Sequence, residues 1–218
     1  MERIICLLIG YCFGLFQTAY IYGKMKGVDI RTQGSGNAGT TNALRTLGLK
    51  AGLITFFCDA IKCILAVLLT WLIFRNSHAD TLKLLEIYTS AGVILGHNFP
   101  FYLQFRGGKG IAATAGMIVA FGDWRLILVG ILSFFIPFLL THYVSLGSLL
   151  LSSEFLVGMI LCGQLGSYGM SQAALYEMYL VTILLTAMAF FKHRGNIGRL
   201  LHGVERKTYL SSKHASDK

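Results

Sequence analysis

Charge is scarce in this chain: Asp, Glu, Lys and Arg together make up 13% of its 218 residues, about half of what a soluble domain carries. A soluble domain of this length would lack the polar surface to cover itself, so the composition excludes one. Carboxylates are the scarcer sign, 10 against 19 Lys and Arg. Only two prolines occur, which argues against disordered linkers and for one domain over residues 1–218. The five cysteines are odd in number, sit inside apolar runs and lack CxxC spacing. Neither a disulfide framework nor a zinc site is expected from them.

Catalytic signatures are missing too. No histidine is followed five residues later by aspartate, so the His-x4-Asp dyad of the large acyl-CoA acyltransferase superfamily is absent. There is no G-x-S-x-G nucleophile elbow and no cluster with metal-ligand spacing. A covalent serine mechanism and a metal mechanism therefore lack support, and no cofactor is expected. A Walker A loop is excluded because Leu103 stands where its first glycine belongs.

What the chain does contain is apolar residues, 55% of the total, with a mean hydropathy of +0.63. They fall into seven runs, at residues 4–22, 52–74, 87–99, 111–121, 126–140, 146–165 and 173–191. This predicts an all-α polytopic membrane protein with seven transmembrane helices. The third and fourth runs are shorter than the roughly 20 residues a spanning helix needs. The first run follows Glu2-Arg3 with no A-x-A cleavage site after it, so it is read as a retained helix.

The net charge of +9 does not point to nucleic acid, because the cations cluster between apolar runs. Fourteen of the 19 lie in three regions. The first loop has Lys24, Lys26, Arg31, Arg45 and Lys50, and the loop between the two short runs has Arg106 and Lys109. The tail has Lys192, Arg194, Arg199, Arg206, Lys207, Lys213 and Lys218. With seven spans the three regions alternate onto one side, the cytoplasmic one, leaving the N-terminus out and the C-terminus in.

Each region carries a polar stretch. In the first loop, Gly34, Ser35, Gly36, Asn37, Thr41 and Asn42 precede a helical pattern that includes Arg45. A glycine-rich turn entering a helix presents unpaired N–H donors to a phosphate, and Arg45 can grip an anion bidentately. Between the short runs lie His97, Asn98, Arg106, Gly107, Gly108 and Lys109. Here glycines let backbone N–H groups converge on an anion while the two cations supply charge. In the tail, His193, Asn196 and Arg199 are spaced by three and share a helical face, with Gly203 and Glu205 following. Arg199 suits a phosphate oxygen, Asn196 a hydroxyl or carbonyl, and His193 a proton carrier or donor. Asp59 and Lys62, three apart within the second run, read either as a neutralising structural pair or as functional groups. Glu154 and Glu177 are open in the same way.

Together SGNAGTTNALRTLG, GHNFPFYLQFRGGKG and HRGNIGRLLHGVE resemble the three signature motifs of the bacterial acyl-phosphate:glycerol-3-phosphate acyltransferases, the PlsY type. The motifs cover about a fifth of the chain, and the hydrophobic layout fits nearly all of it. The resemblance implies a multi-pass inner-membrane enzyme with a cytoplasmic active site. It would transfer a fatty acyl group from acyl phosphate to the 1-hydroxyl of glycerol 3-phosphate, giving lysophosphatidic acid and inorganic phosphate. The soluble enzyme that forms acyl phosphate is the implied metabolic partner, and the bilayer the implied setting. By motif position, Ser35, Arg45 and Lys109 go to phosphate groups, Asn196 and Arg199 to the glycerol 3-phosphate end, and His193 and Glu205 to support. The chain departs from the family pattern at Ala38, Thr40, Cys63, Arg106 and Gly195; glutamate is common at the last position, so no essential base is expected there. A transporter of a phosphorylated metabolite is the alternative, since short broken segments beside intramembrane charges also mark transporters.

Overall fold

The computed structural model of this protein describes residues 1–209. Lys213 and Lys218, counted above with the tail cations, lie outside the described residues. Every regular element among the described residues is helical: α1 (Glu2–Gly14), α2 (Thr18–Met25), α3 (Thr40–Leu47), α4 (Leu49–Phe74), α5 (Leu82–Asn98), α6 (Ile111–Phe121), α7 (Trp124–Thr141), α8 (Val144–Gln164), α9 (Gln172–Lys192) and α10 (Arg194–Leu201), with short 3-10 turns at Ile30–Thr32 and Phe101–Leu103. Among the described residues, five stretches are long and apolar enough to cross a membrane: Glu2–Met25, Leu49–Phe74, Trp124–Thr141, Val144–Gln164 and Gln172–Lys192.

Lipid offers no hydrophobic drive for helices to associate, so close backbone packing has to supply it. α1 and α5 do this with paired G-x-x-x-G faces. A side chain on Gly10 or Gly14 would strike the α5 backbone at Thr89 and Val93, and one on Gly92 or Gly96 would strike α1 at Leu7 and Tyr11. α6 meets α4 the same way, with Gly116 against the Ala60 carbonyl. The main core lies where α4, α5, α6, α8 and α9 converge, around Val93, Met117, Phe155, Met159 and Met178.

Two features differ from the apolar runs. The first run is broken at Leu15–Gln17, where the buried Gln17 amide donates to the carbonyls of Gly14, Gly96 and His97 at 3.1–3.3 Å. The third run begins five residues earlier than its apolar stretch, at Leu82. The extra turn holds Lys83 and Glu86, paired at 2.9 Å, and Lys83 also bonds the Phe121 carbonyl that ends α6. Helix α6 keeps its 11 residues, about 16 Å at 1.5 Å per residue. It starts against Ile94 and Asn98 of α5, so its N-terminus is sunk beside the last turn of α5.

Candidate active site

The first loop is tied down before it reaches the site. Asp29 accepts from Arg31 through its backbone N–H and guanidinium at 2.8–3.0 Å, and Arg31 lies over the Tyr20 ring. The chain then turns through Gly34 and Gly36 at φ of 59° and 70°, a region costly for other residues. Asn42, 1% exposed, braces the turn: its Oδ1 accepts from the Ser35 N–H at 2.9 Å, and its Nδ2 donates to the Ile30 and Gln33 carbonyls. Gly39, just before α3, offers no side-chain cap, and the first bond of the helix is Ala43 N–H to the Gly39 carbonyl at 3.0 Å. The N–H groups of Thr40, Thr41 and Asn42 therefore have no helical carbonyl, as at any helix start.

The second stretch is organised by the C-terminus of α5. Gly107 N–H donates to the Asn98 carbonyl at 3.3 Å and Gly108 N–H to the His97 carbonyl at 3.1 Å. A side chain at Gly107 would meet the His97 carbonyl, and one at Gly108 the His97 ring. These glycines serve close backbone packing, and their N–H groups are already taken. The packing delivers Lys109 to the tail, where its ammonium donates to the Asn196 amide oxygen.

In the third stretch, Glu205 is the hub, its carboxylate 3% exposed. It accepts from Asn196 Nδ2 at 2.6 Å, Arg199 Nε at 2.7 Å and Ser145 Oγ at 3.1 Å. Gly203, at φ 70°, turns the chain back so that Glu205 reaches α10. Arg45 crosses over and donates to the Arg206 carbonyl at 2.9 Å and to Thr208. His193 Nδ1 donates to the Ala189 carbonyl at 2.8 Å, which leaves Nε2 as the acceptor of a neutral ring.

Burial sets the charge states. It pulls the Lys109 ammonium down to about 8, with Glu205 opposing the shift and Arg199, Lys192 and Arg45 adding to it. Burial, then the Lys109 charge, lowers the His193 imidazole to about 4. Burial pushes Glu205 upward, but the bonds from Asn196, Arg199 and Ser145 outweigh it and hold the group below its usual range. Near neutrality Lys109 is a cation, Glu205 an anion and His193 uncharged.

All three stretches line one cavity of about 740 Å³. From the first loop it takes Gly34, Ser35, Gly36, Asn37, Thr41, Asn42 and Arg45; from the second His97 and Lys109; from the tail His193, Asn196, Arg199 and Glu205. Asn98, Arg106, Gly107, Gly108 and Gly203 are not on its wall. Asn98 is fully buried, Arg106 is exposed, and the three glycines shape backbone. Sequence reasoning missed Ser145, which carries no signal within an apolar helix, and Lys192, read only as a cation of topology. Among the described residues, the cavity walls carry six cationic side chains (Arg45, Lys109, Lys192, Arg194, Arg199 and Arg206) against the carboxylates of Asp59 and Glu205. Away from this polar end an apolar limb runs between α6, α7 and α8, past Ile118, Ile127, Gly130, Ile131, Phe134 and Leu151. A positive pocket joined to an apolar groove suits an anionic head group and a hydrocarbon tail.

The glycerol-3-phosphate acyltransferase family model matches residues 4–203. The chain belongs to this family. A glycerol-3-phosphate acyltransferase of Clostridioides difficile (strain 630) is 42% identical over 205 residues, covering 94% of each chain. Glycerol-3-phosphate acyltransferase 2 of Thermotoga maritima is 36% identical, covering 93% of this chain and 95% of its own. Two crystal structures of PlsY, an integral membrane glycerol 3-phosphate acyltransferase, share the fold at 28% identity. Its glycerol 3-phosphate form superposes with a TM-score of 0.83 over 100% of both chains. Its lysophosphatidic acid form gives 0.79 over 96% of this chain and 97% of the other. The acyltransferase is thus an all-helical, multi-pass membrane enzyme, and all three of its motifs contribute residues to one cavity.

Proposed function

We propose that this glycerol-3-phosphate acyltransferase takes its acyl group from an acyl phosphate and delivers it to the 1-hydroxyl of glycerol 3-phosphate. The hydroxyl oxygen bonds to the acyl carbon, the bond from that carbon to the phosphate oxygen breaks, and lysophosphatidic acid and inorganic phosphate leave. The observation that carries this reading is the excess of cations at the polar end of a cavity whose other end is apolar. Two anionic substrates must meet there, and fixed cations offset their repulsion.

Acyl phosphate is an activated mixed anhydride, so no nucleophilic side chain is needed. Among the described residues no hydrogen bond joins a cavity serine to His193, and no cysteine lines the cavity. His193, lowered to about 4, is a weak base at neutral pH. The hydroxyl proton goes instead to an oxygen of the departing phosphate. Lys109, Arg45 and the open N–H groups of α3 hold phosphate oxygens, while Asn196 and Arg199, set by Glu205, hold glycerol 3-phosphate. Positioning of this kind contributes roughly 7–11 kcal/mol toward a barrier, and preorganised donors add to it.

Residues 1–218 form one domain with seven crossings, α5 and α6 being the short pair, the N-terminus outside and the C-terminus inside. The cavity then opens on the cytoplasmic face of the bacterial inner membrane, within reach of a soluble enzyme that makes acyl phosphate. Cysteine-accessibility labelling of the loops in right-side-out vesicles tests the orientation.

The donor is tested with purified protein in detergent, glycerol 3-phosphate, and palmitoyl phosphate or palmitoyl-CoA in parallel. Lysophosphatidic acid and phosphate from the first tube alone are expected. Product from the CoA ester alone would overturn the donor assignment.

A further inference from the structure

Beneath the second stretch lies a cluster of ionisable side chains buried inside the helical bundle. Lys62 on α4 is 5% exposed and Asp59 is 1% exposed. Ionised groups at such depth are costly and are retained where they hold a partner or serve a cavity. The Lys62 ammonium uses all three donors: to the Phe16 carbonyl at 2.6 Å, to Asp59 Oδ1 at 2.8 Å and to His97 Nδ1 at 2.9 Å. Asp59 Oδ1 also accepts from Thr18 Oγ1 at 3.1 Å. The cluster thus pins three pieces of chain together: the break between α1 and α2, the middle of α4, and the end of α5.

The bond to His97 has a chemical consequence. An ammonium has no lone pair, so His97 Nδ1 accepts and the ring proton sits on Nε2. The ring is neutral and held in one orientation. Its Nε2 edge fills the space that a side chain on Gly108 would need, and the His97 carbonyl takes the Gly108 N–H at 3.1 Å. Gly108 is therefore gripped from two sides by one residue, and Lys109 is the next residue along. Lys192 secures the same turn by donating to the Asn98 carbonyl at 3.3 Å.

We propose that Lys62, paired with Asp59, is a positioning residue that sets the Lys109 ammonium through His97 and Gly108. Lys62 touches no substrate. It fixes the imidazole on which the glycine turn rests, and the turn fixes where Lys109 points. The inference rests on Lys109 contacting a substrate phosphate, as proposed above.

The test compares Lys62→Met, Lys62→Arg and the pair Asp59→Asn with Lys62→Met, which leaves no unpaired buried charge if the single variant fails to fold. Lys109→Ala is run alongside. For each variant, the melting temperature in detergent, kcat and KM for glycerol 3-phosphate, and the ring 15N resonances of the histidines are measured, His97 being assigned with His97→Asn. A displacement near 1 Å costs on the order of 100-fold in rate. A loss of about that size in kcat/KM is expected for the folded Lys62→Met protein or for the pair. The His97 signal should change at the same time from a pure Nε2–H tautomer to a mixture, and Lys62→Arg should recover both. Near-normal turnover in a folded variant would overturn the proposal. So would an activity loss that follows the melting temperature while the His97 tautomer stays unchanged. An active Lys109→Ala protein would instead remove the site reading itself, and the inference with it.

Discussion

Lys109 donates a hydrogen bond to the side-chain oxygen of Asn196, 87 residues further along the chain. The contact joins the glycine-rich turn before α6 to the first turns of α10, and Asn196 passes it on to Glu205 at 2.6 Å. A cation from one motif and a carboxylate from another are thereby coupled through a single amide.

Truncating Lys109 removes a charged donor at the cavity wall. Lys109→Ala is expected to lower kcat/KM by about 100-fold or more, the usual cost of losing one preorganised donor. Lysophosphatidic acid formation by the purified variant checks this, and turnover near normal would remove Lys109 from the site.

The same group gives the enzyme an alkaline limit. Burial lowers Lys109 to about 8, and the cation is the useful form, so activity should fall as pH rises through about 8. His193, lowered to about 4, stays neutral across that range and adds no limb there. In Lys109→Arg the guanidinium remains charged, so the alkaline fall should move upward. A pH profile of kcat/KM unchanged by that substitution would refute the assignment.

Glu205 holds Arg199, Asn196 and Ser145 together. Glu205→Gln keeps the shape but removes the charge that strengthens these bonds, each worth about 1.5–3 kcal/mol when one partner is ionised. The KM for glycerol 3-phosphate should rise at least about tenfold, and the melting temperature should fall by several degrees as the three bonds weaken. Steady-state kinetics at saturating donor reads this directly.

The helix contact of α1 with α5 has no slack. Gly92→Leu places a side chain where the Leu7 carbonyl and the Tyr11 backbone already lie, and overpacking costs about 1–3 kcal/mol or more. Lower recovery from size-exclusion chromatography and a lower melting temperature in detergent are expected. Gly198→Ala, on the open side of α10 with nothing within 4 Å, is the control and should behave as the parent.

Gly130 lines the apolar limb, and a side chain there would come within 3.0 Å of Leu151, 3.4 Å of Glu154 and 3.8 Å of Ile118. Gly130→Leu should depress use of long acyl phosphates more than short ones. Kinetics from octanoyl to stearoyl phosphate measures the ratio, and a uniform fall would show a general defect instead.

The polar motifs were legible because they interrupt or follow long apolar runs: Ser35, Arg45, Lys109, His193, Asn196 and Arg199 all lie in the polar stretches outside those runs, and the fold carries all six to one cavity wall. What the sequence hid was the division of labour. Gly107 and Gly108 read as anion-binding donors, yet their N–H groups close the end of α5, a pairing that depends on how the turn folds back. Asn42 reads as a ligand and braces the Ser35 turn from beneath. The start of α5 was lost because Lys83 and Glu86 interrupt the hydropathy, and their mutual pairing is visible only in three dimensions. The Gly10, Gly14, Gly92 and Gly96 faces follow a spacing that can be read in advance, but nothing in one sequence says which two helices will use it.

Helix α6 is short, and its start is sunk beside the last turn of α5. The polar end of the cavity and its apolar limb are thereby joined inside one helical bundle. Extracting a fatty chain from the bilayer would cost about 0.8 kcal/mol for every methylene. Under the reaction proposed above, an apolar groove opening from the polar pocket avoids that extraction, so that a lipid-soluble acyl donor and a water-soluble acceptor would each remain in their own phase until they meet.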